Sequence, residues 1–189
     1  RAQDLEKAGN YYRAGEYEKA ALEFEGALPA LERMYGANDT AVYAYYVATT
    51  AMCFGDCKQY EKSIAYYMQA KQIYENVSAT MDPFYGSILN NLGYVYLHTG
   101  EYEKGKPLLE EALLIAEKTL GVNNPAYVIR LNNLGAFYEG EGMYNDALKY
   151  YTMAVENVQK TFGKNNEDYV IYLDNLAGVI ANFGFLDKL

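Results

Sequence analysis

The stretch LNNLGYVYLHTGEYEKG, Leu89 to Gly105, returns 42 residues later as LNNLGAFYEGEGMYNDA, Leu131 to Ala147. Aligning the chain on the small residue after LNNL extends the match both ways. That slot holds Ala8, Ala51, Gly93, Gly135 and Ala177, at intervals of 43 and then 42 residues. Three positions on stand Tyr11, Phe54, Tyr96, Tyr138 and Ile180, and nine positions on stand Tyr17, Tyr60, Tyr102, Tyr144 and Leu186. A second small residue follows at Ala20, Ser63, Gly105 and Ala147, then a large one at Phe24, Tyr67, Leu109 and Tyr151. Ala27, Ala70, Ala112 and Ala154 complete the set. Self-similarity at a fixed period of roughly 20–50 residues marks an array of stacked units.

The spacings are helical. Small at 0 with large at +3, and small, large, small at +12, +16 and +19, each fall on one face at about 3.6 residues per turn. Between the two runs Gly15, Gly100, Gly142 and Gly184 mark a turn, so each unit reads as a hairpin of two antiparallel helices. The connector between units is also spelled out. Gly36, Gly121 and Gly163 share a slot suited to a left-handed residue at a helix end. Three positions later come Asp39, Asp82, Asn124 and Asn166, which are N-cap types, and Pro83 and Pro125 then occupy the first helical position. Pro107 falls early in its helix, where one lost hydrogen bond is tolerable.

First helices are expected near 2–14, 40–55, 83–98, 125–140 and 167–183, and second helices near 17–35, 60–78, 102–119 and 144–161. An amphipathic hairpin cannot bury both faces alone, so the units must stack. The expected fold is all-α: a right-handed solenoid forming one array over 1–189. Its repeats fall at about 1–39, 40–82, 83–124 and 125–166, with a half repeat at 167–189.

Composition narrows the function. The formal net charge of −9 argues against nucleic acid and anionic membrane, whose binding rests on Lys and Arg. No apolar run reaches the roughly 18 residues of a membrane span. The chain opens on Arg1 with no signal peptide, so it is expected to be part of a longer protein, in a cytoplasmic setting. Cys53 and Cys57 lie four apart in one helix, where a disulfide is strained, and the only histidine, His98, is a repeat away. Both thiols are expected reduced, with no metal and no cofactor. Three serines, one histidine and two cysteines give no nucleophile with a base and an orienter, so no catalytic residue and no enzyme is expected. GEYEKGKP, Gly100 to Pro107, mimics a phosphate loop but lacks the Ser or Thr that would hold magnesium and has no strand before it.

The residues at the repeat slots resemble the tetratricopeptide repeat, whose pattern runs L-G-x-x-Y, then G-x-Y-x-x-A, then F, then A. The 42-residue period, the LNNLG words and the G-x-N-N-P connector resemble its kinesin-light-chain-like subtype. Lys58 in place of a turn glycine, Gly105 in place of alanine, and a first repeat without LNN depart from the pattern. The resemblance implies a non-catalytic scaffold that binds a peptide or protein segment in a concave groove lined by the first helices. Two alternatives accompany it: a regulatory or sensor module of a larger bacterial signalling or protease-type protein, and assembly by end-to-end stacking.

Carried onto this chain, the groove slots give Asn90, Asn91, Tyr94, Leu97 and His98 in the third repeat. Asn132, Asn133, Ala136, Glu139 and Gly140 follow in the fourth, Asp174, Asn175 and Gly178 in the fifth, and Thr49, Met52 and Gly55 in the second. A carboxamide both donates and accepts, so the column Asn91, Asn133, Asn175 suits capture of an extended peptide backbone. The competing role is a bond to the neighbouring helix. Gripping a terminal carboxylate would need Lys or Arg where Leu5, Gly9, Thr49 and Asn91 stand. Arg130, the one base near the groove lip, is expected on the outer surface.

The chain has 22 tyrosines, and one column of them, Tyr43, Tyr85, Tyr127 and Tyr169, reads as packing between repeats, with a ligand rim as the alternative. At the far end Leu173, Ile180, Phe183, Phe185, Leu186 and Leu189 lack a partner helix, which predicts continuation of the chain with weak self-association of this end as a by-product.

Overall fold

The computed structural model describes residues 2–36 and 41–186, and Asp39 and Leu189 lie outside the described residues. Among the described residues all regular structure is helical. The elements are α1 (Ala2–Arg13), α2 (Tyr17–Tyr35), α3 (Ala41–Asp56), α4 (Tyr60–Asn76) and α5 (Pro83–Thr99). They continue with α6 (Tyr102–Thr119), α7 (Pro125–Gly140), α8 (Tyr144–Phe162) and α9 (Glu167–Leu186). Each helix packs on the next, as a solenoid requires. Across repeats α3 touches α5, α5 touches α7 and α7 touches α9, whereas no pair of even helices makes comparable contact among the described residues. The odd helices therefore crowd the inside of the curve and form its concave wall.

The small residues work by letting backbones approach. Ala8, Ala51, Ala20 and Ala147 have no exposed surface, and neither has Ser63, whose hydroxyl donates to the Ala51 carbonyl at 2.8 Å. A Cβ built on Gly93 would lie 2.7 Å from Leu109 Cγ and 3.1 Å from the Gly105 carbonyl. One built on Gly135 would lie 2.5 Å from the Tyr151 ring. Phe54, Leu109 and Tyr151 are all buried in the space that remains. Side chains at native density leave no slack for an added methyl.

The connectors close as their residues dictate. Asp82 accepts from the Phe84 N–H at 2.7 Å, Asn124 from Ala126 at 2.9 Å, and Asn166 from Asp168 at 2.9 Å. Each satisfies one free donor of a helix start. Pro83 and Pro125 stand at the first turn. The second repeat manages without the usual glycines. Lys58 takes the turn at φ 62°, and Ser78 rather than the aligned Ala79 takes the connector at φ 56°.

Two expectations are corrected. Gly184 does not turn the chain: α9 runs through it to Leu186, because no second helix packs there among the described residues and the helical ladder continues. Arg130 is not an outward surface residue but 3% exposed. Its guanidinium crosses from α7 to α5, donating to Ser87 Oγ at 3.1 Å and to its own helix at the Ala126 carbonyl at 3.0 Å. Loss of solvation lowers its pKa.

The tyrosine column is packing between repeats. Tyr43, Tyr85 and Tyr127 are buried, Tyr169 is half-buried, and Tyr85 donates to Glu75 Oε1 at 3.1 Å. Cys53 is buried and Cys57 partly so, and both are free thiols. Burial pushes the Cys53 thiol up to about 12, where it packs as an apolar group.

Candidate groove on the concave face

Along the concave wall, repeat periodicity places one set of side chains per odd helix, about 42 residues apart in sequence. On α3 and α5 these sets converge. Met52 and Gly55 from α3 face Asn91, Tyr94 and His98 from α5 across a cavity of about 430 Å³. Tyr67 of α4, almost wholly buried, lines it too. Burial raises the pKa of its hydroxyl, an effect that the nearby Asn91 side chain partly opposes. A smaller depression of about 170 Å³ continues along the same wall past Thr49, Ser87 and Phe84.

His98 is held by aromatic contacts. Its ring stacks on Tyr60 with centroids 5.8 Å apart and planes 3° from parallel, and it meets Tyr94 edge-on at 4.6 Å. Tyr94 keeps 41% of its surface exposed, so a ring lies open at the groove.

The asparagines divide their groups. Asn133 Nδ2 donates to Asn90 Oδ1 at 3.0 Å and Asn175 Nδ2 to Asn132 Oδ1 at 2.8 Å, one repeat back in each case. Asn90 donates in turn to Asn91 Oδ1 at 3.1 Å. Asn90 is 6% exposed and belongs to the stack. Asn133 and Asn175 are half-buried, and their Oδ1 atoms take no protein donor among the described residues. Asn91 escapes the pattern because the slot one repeat back holds Ala48, which has no acceptor. The structure thus brings Met52, Asn91, Tyr94 and His98 around one cavity and sets Asn132, Asn133 and Asn175 further along the wall.

Six lining residues were missing from the sequence-based set: Tyr12, Asp56, Lys58, Tyr60, Tyr67 and Val95. The periodicity did contain two of them. Asp56 occupies the slot of His98 and Gly140, and Tyr12 that of Gly55, Leu97 and Glu139. Tyr12 donates to Asp56 Oδ2 at 3.0 Å. Asp56 is exposed as a residue, yet the groups packed around its carboxyl strip water from it and raise its pKa, an effect the Tyr12 bond partly opposes.

Family models described as tetratricopeptide repeat match residues 84–157 and 50–77, together just over half of the chain. None of the curated proteins compared with the chain matches it. Among solved structures, BtubC (BKLC) from P. vanneervenii superposes with a TM-score of 0.82 at 19% identity, over 96% of this chain and 72% of that one. The nearly identical TPR-like repeats of a putative kinesin light chain from Podosopora anserina give 0.81 at 18% identity, over 99% and 88%. The apo form of RapI gives 0.71 at 17% identity, over 98% of this chain and 49% of that one. At such identities the likeness is one of fold.

Proposed function

The chain belongs to the tetratricopeptide repeat family, a fold of interaction scaffolds, and from that premise we propose that it binds an extended peptide segment along its concave wall. The observation that carries the reading is the wall itself. It combines a cavity of about 430 Å³ between α3 and α5 with a row of half-engaged carboxamides. A peptide backbone offers N–H groups, and the Oδ1 atoms of Asn133 and Asn175 are acceptors without a donor among the described residues. Bonding through backbone groups leaves the ligand's sequence to be read in the cavity.

A displayed-peptide selection on the immobilised protein tests this. Enriched peptides should bind the native chain and lose at least about tenfold in affinity on Tyr94→Ala or Met52→Glu, the scale of one good contact. Enriched peptides that bind both variants as well as the native chain would place recognition elsewhere.

A second reading is favoured by one observation. Val170, Leu173 and Ile180 are 40–55% exposed and share a stripe of α9 with Ala177. In α3, α5 and α7 the slots of Ala177 and Ile180 are buried, with Ala51 and Phe54 as the α3 pair. That stripe is shaped for a helix, and a second copy of the chain supplies one.

A further inference from the structure

Two charged residues line the cavity, Asp56 and Lys58, and neither is in an ion pair among the described residues. Among the described residues Glu16, Glu23, Glu25, Glu75 and Glu101 are each paired with a lysine. Asp56 has no such pairing there. Its bond partner is the neutral Tyr12 hydroxyl at 3.0 Å, on one oxygen only. An ionised carboxylate accepts at both oxygens and has about four lone-pair sites, so most of its capacity is open. Lys58 lines the same cavity, is exposed, and makes no ion pair with it. Tyr12 touches the carboxylate, and Tyr60, Tyr67 and Tyr94 line the same cavity, Tyr94 with 41% of its surface exposed.

A carboxylate beside aromatic rings is a cation site. Ring faces attract a cation through their quadrupole, and the carboxylate supplies the counter-charge. We propose that this cavity receives an arginine side chain of the bound segment, with its guanidinium on Asp56 and its plane against the tyrosine rings. This deepens the groove reading and rests on it. Arginine fits better than lysine because its flat fork stacks on rings and reaches a carboxylate through two parallel N–H groups. An aliphatic side chain would shut the carboxylate away from water with no partner, and an acidic one would be repelled. The raised pKa of Asp56 points the same way, since its charged form lacks solvation that a guanidinium would replace. A net charge of −9 draws a basic segment toward the surface as a whole.

The test is a titration of the ¹⁵N-labelled protein with the end-blocked pentapeptide Gly-Gly-Arg-Gly-Gly, against versions with Lys, Leu or Glu at the centre. The arginine peptide should move the amide signals of Gly55, Asp56 and Val95 and the ring signals of Tyr94, with lysine weaker and leucine and glutamate inert. Asp56→Asn keeps an acceptor for Tyr12 and should preserve the spectrum of the free protein. It should weaken the arginine peptide at least about tenfold, the loss of one charge-assisted bond. A leucine peptide that binds equally, an undiminished Asp56→Asn, or shifts scattered over the acidic surface would each overturn the inference. If selected peptides engage the wall while the arginine probe leaves this cavity unmoved, the inference fails and the groove reading stands. If no peptide engages the wall, both fail.

Discussion

Asn133 shows how one side chain serves the stack and the groove together. Its Nδ2 holds Asn90 of the previous repeat at 3.0 Å, and its Oδ1 takes no donor among the described residues. Read from sequence alone, Asn133→Ala would weaken ligand binding and leave stability alone. The hydrogen bond changes that expectation. Truncation strands the Oδ1 of Asn90, which is 6% exposed, and such a loss costs about 1–3 kcal/mol. Chemical denaturation should therefore show Asn133→Ala destabilised, with any selected peptide weakened as well. Wild-type stability in the variant would mean that Asn90 finds another donor. Residue periodicity found the asparagines, since slots repeat faithfully. It did not show which half of each amide was spent, because that depends on the residue one repeat back: Asn90 behind Asn133, but Ala48 behind Asn91. Asp56 was missed for a related reason. Its slot holds His98 and Gly140 in the following repeats, so the periodicity contained it, but a slot filled by three unlike residues does not mark a carboxylate as a site.

At the scale of the helix pair, the slot at Ala8, Ala51, Gly93, Gly135 and Ala177 accepts either Ala or Gly. At Gly135 the approach of the partner helix leaves no room for alanine. Facing Tyr151, Gly135 leaves only 2.5 Å between a would-be Cβ and the ring, and Tyr151 is anchored by its hydroxyl on Glu139 Oε2 at 2.9 Å. Gly135→Ala should therefore push α7 from α8 and cost about 1–3 kcal/mol, the usual penalty of overpacking, despite alanine's better helix propensity. Gly26→Ala is the control, since its Cβ would meet nothing within 4 Å and it sits mid-helix in α2. It should be neutral or stabilising. Equal denaturation midpoints for the two variants would show that Tyr151 swings away freely. Helix bounds were legible because caps and prolines sit where a helix starts: the expected 83–98 and 125–140 are Pro83–Thr99 and Pro125–Gly140. Gly184 misled because a glycine permits a turn without imposing one, and α9 runs through it to Leu186.

For the whole molecule, what matters is the stripe that α9 leaves uncovered among the described residues. Every odd helix from α3 to α7 has an even helix on the face that carries its small slot, and the α9 stripe of Val170, Leu173, Ala177 and Ile180 has none among the described residues. Leu173 and Ile180 remain 40% and 53% exposed. Apolar surface returns about 25 cal/mol for each Å² removed from water, so such a stripe favours association. Two copies meeting through α9 form a closed two-fold contact, which pairs each stripe once and does not grow into fibres. The side chains of Phe185 and Leu186 lie outside the described residues, so the stripe is defined by the four residues named. Sedimentation velocity from low to high micromolar concentration should show a monomer giving way to a dimer and no larger species. Leu173→Glu with Ile180→Lys should hold the chain monomeric across the range, with its helical circular dichroism unchanged. A wild-type chain that stays monomeric at the highest concentration would show that the stripe is too narrow to join two copies. A ladder of larger species would instead indicate head-to-tail stacking, with α9 seated on α1 of the next copy.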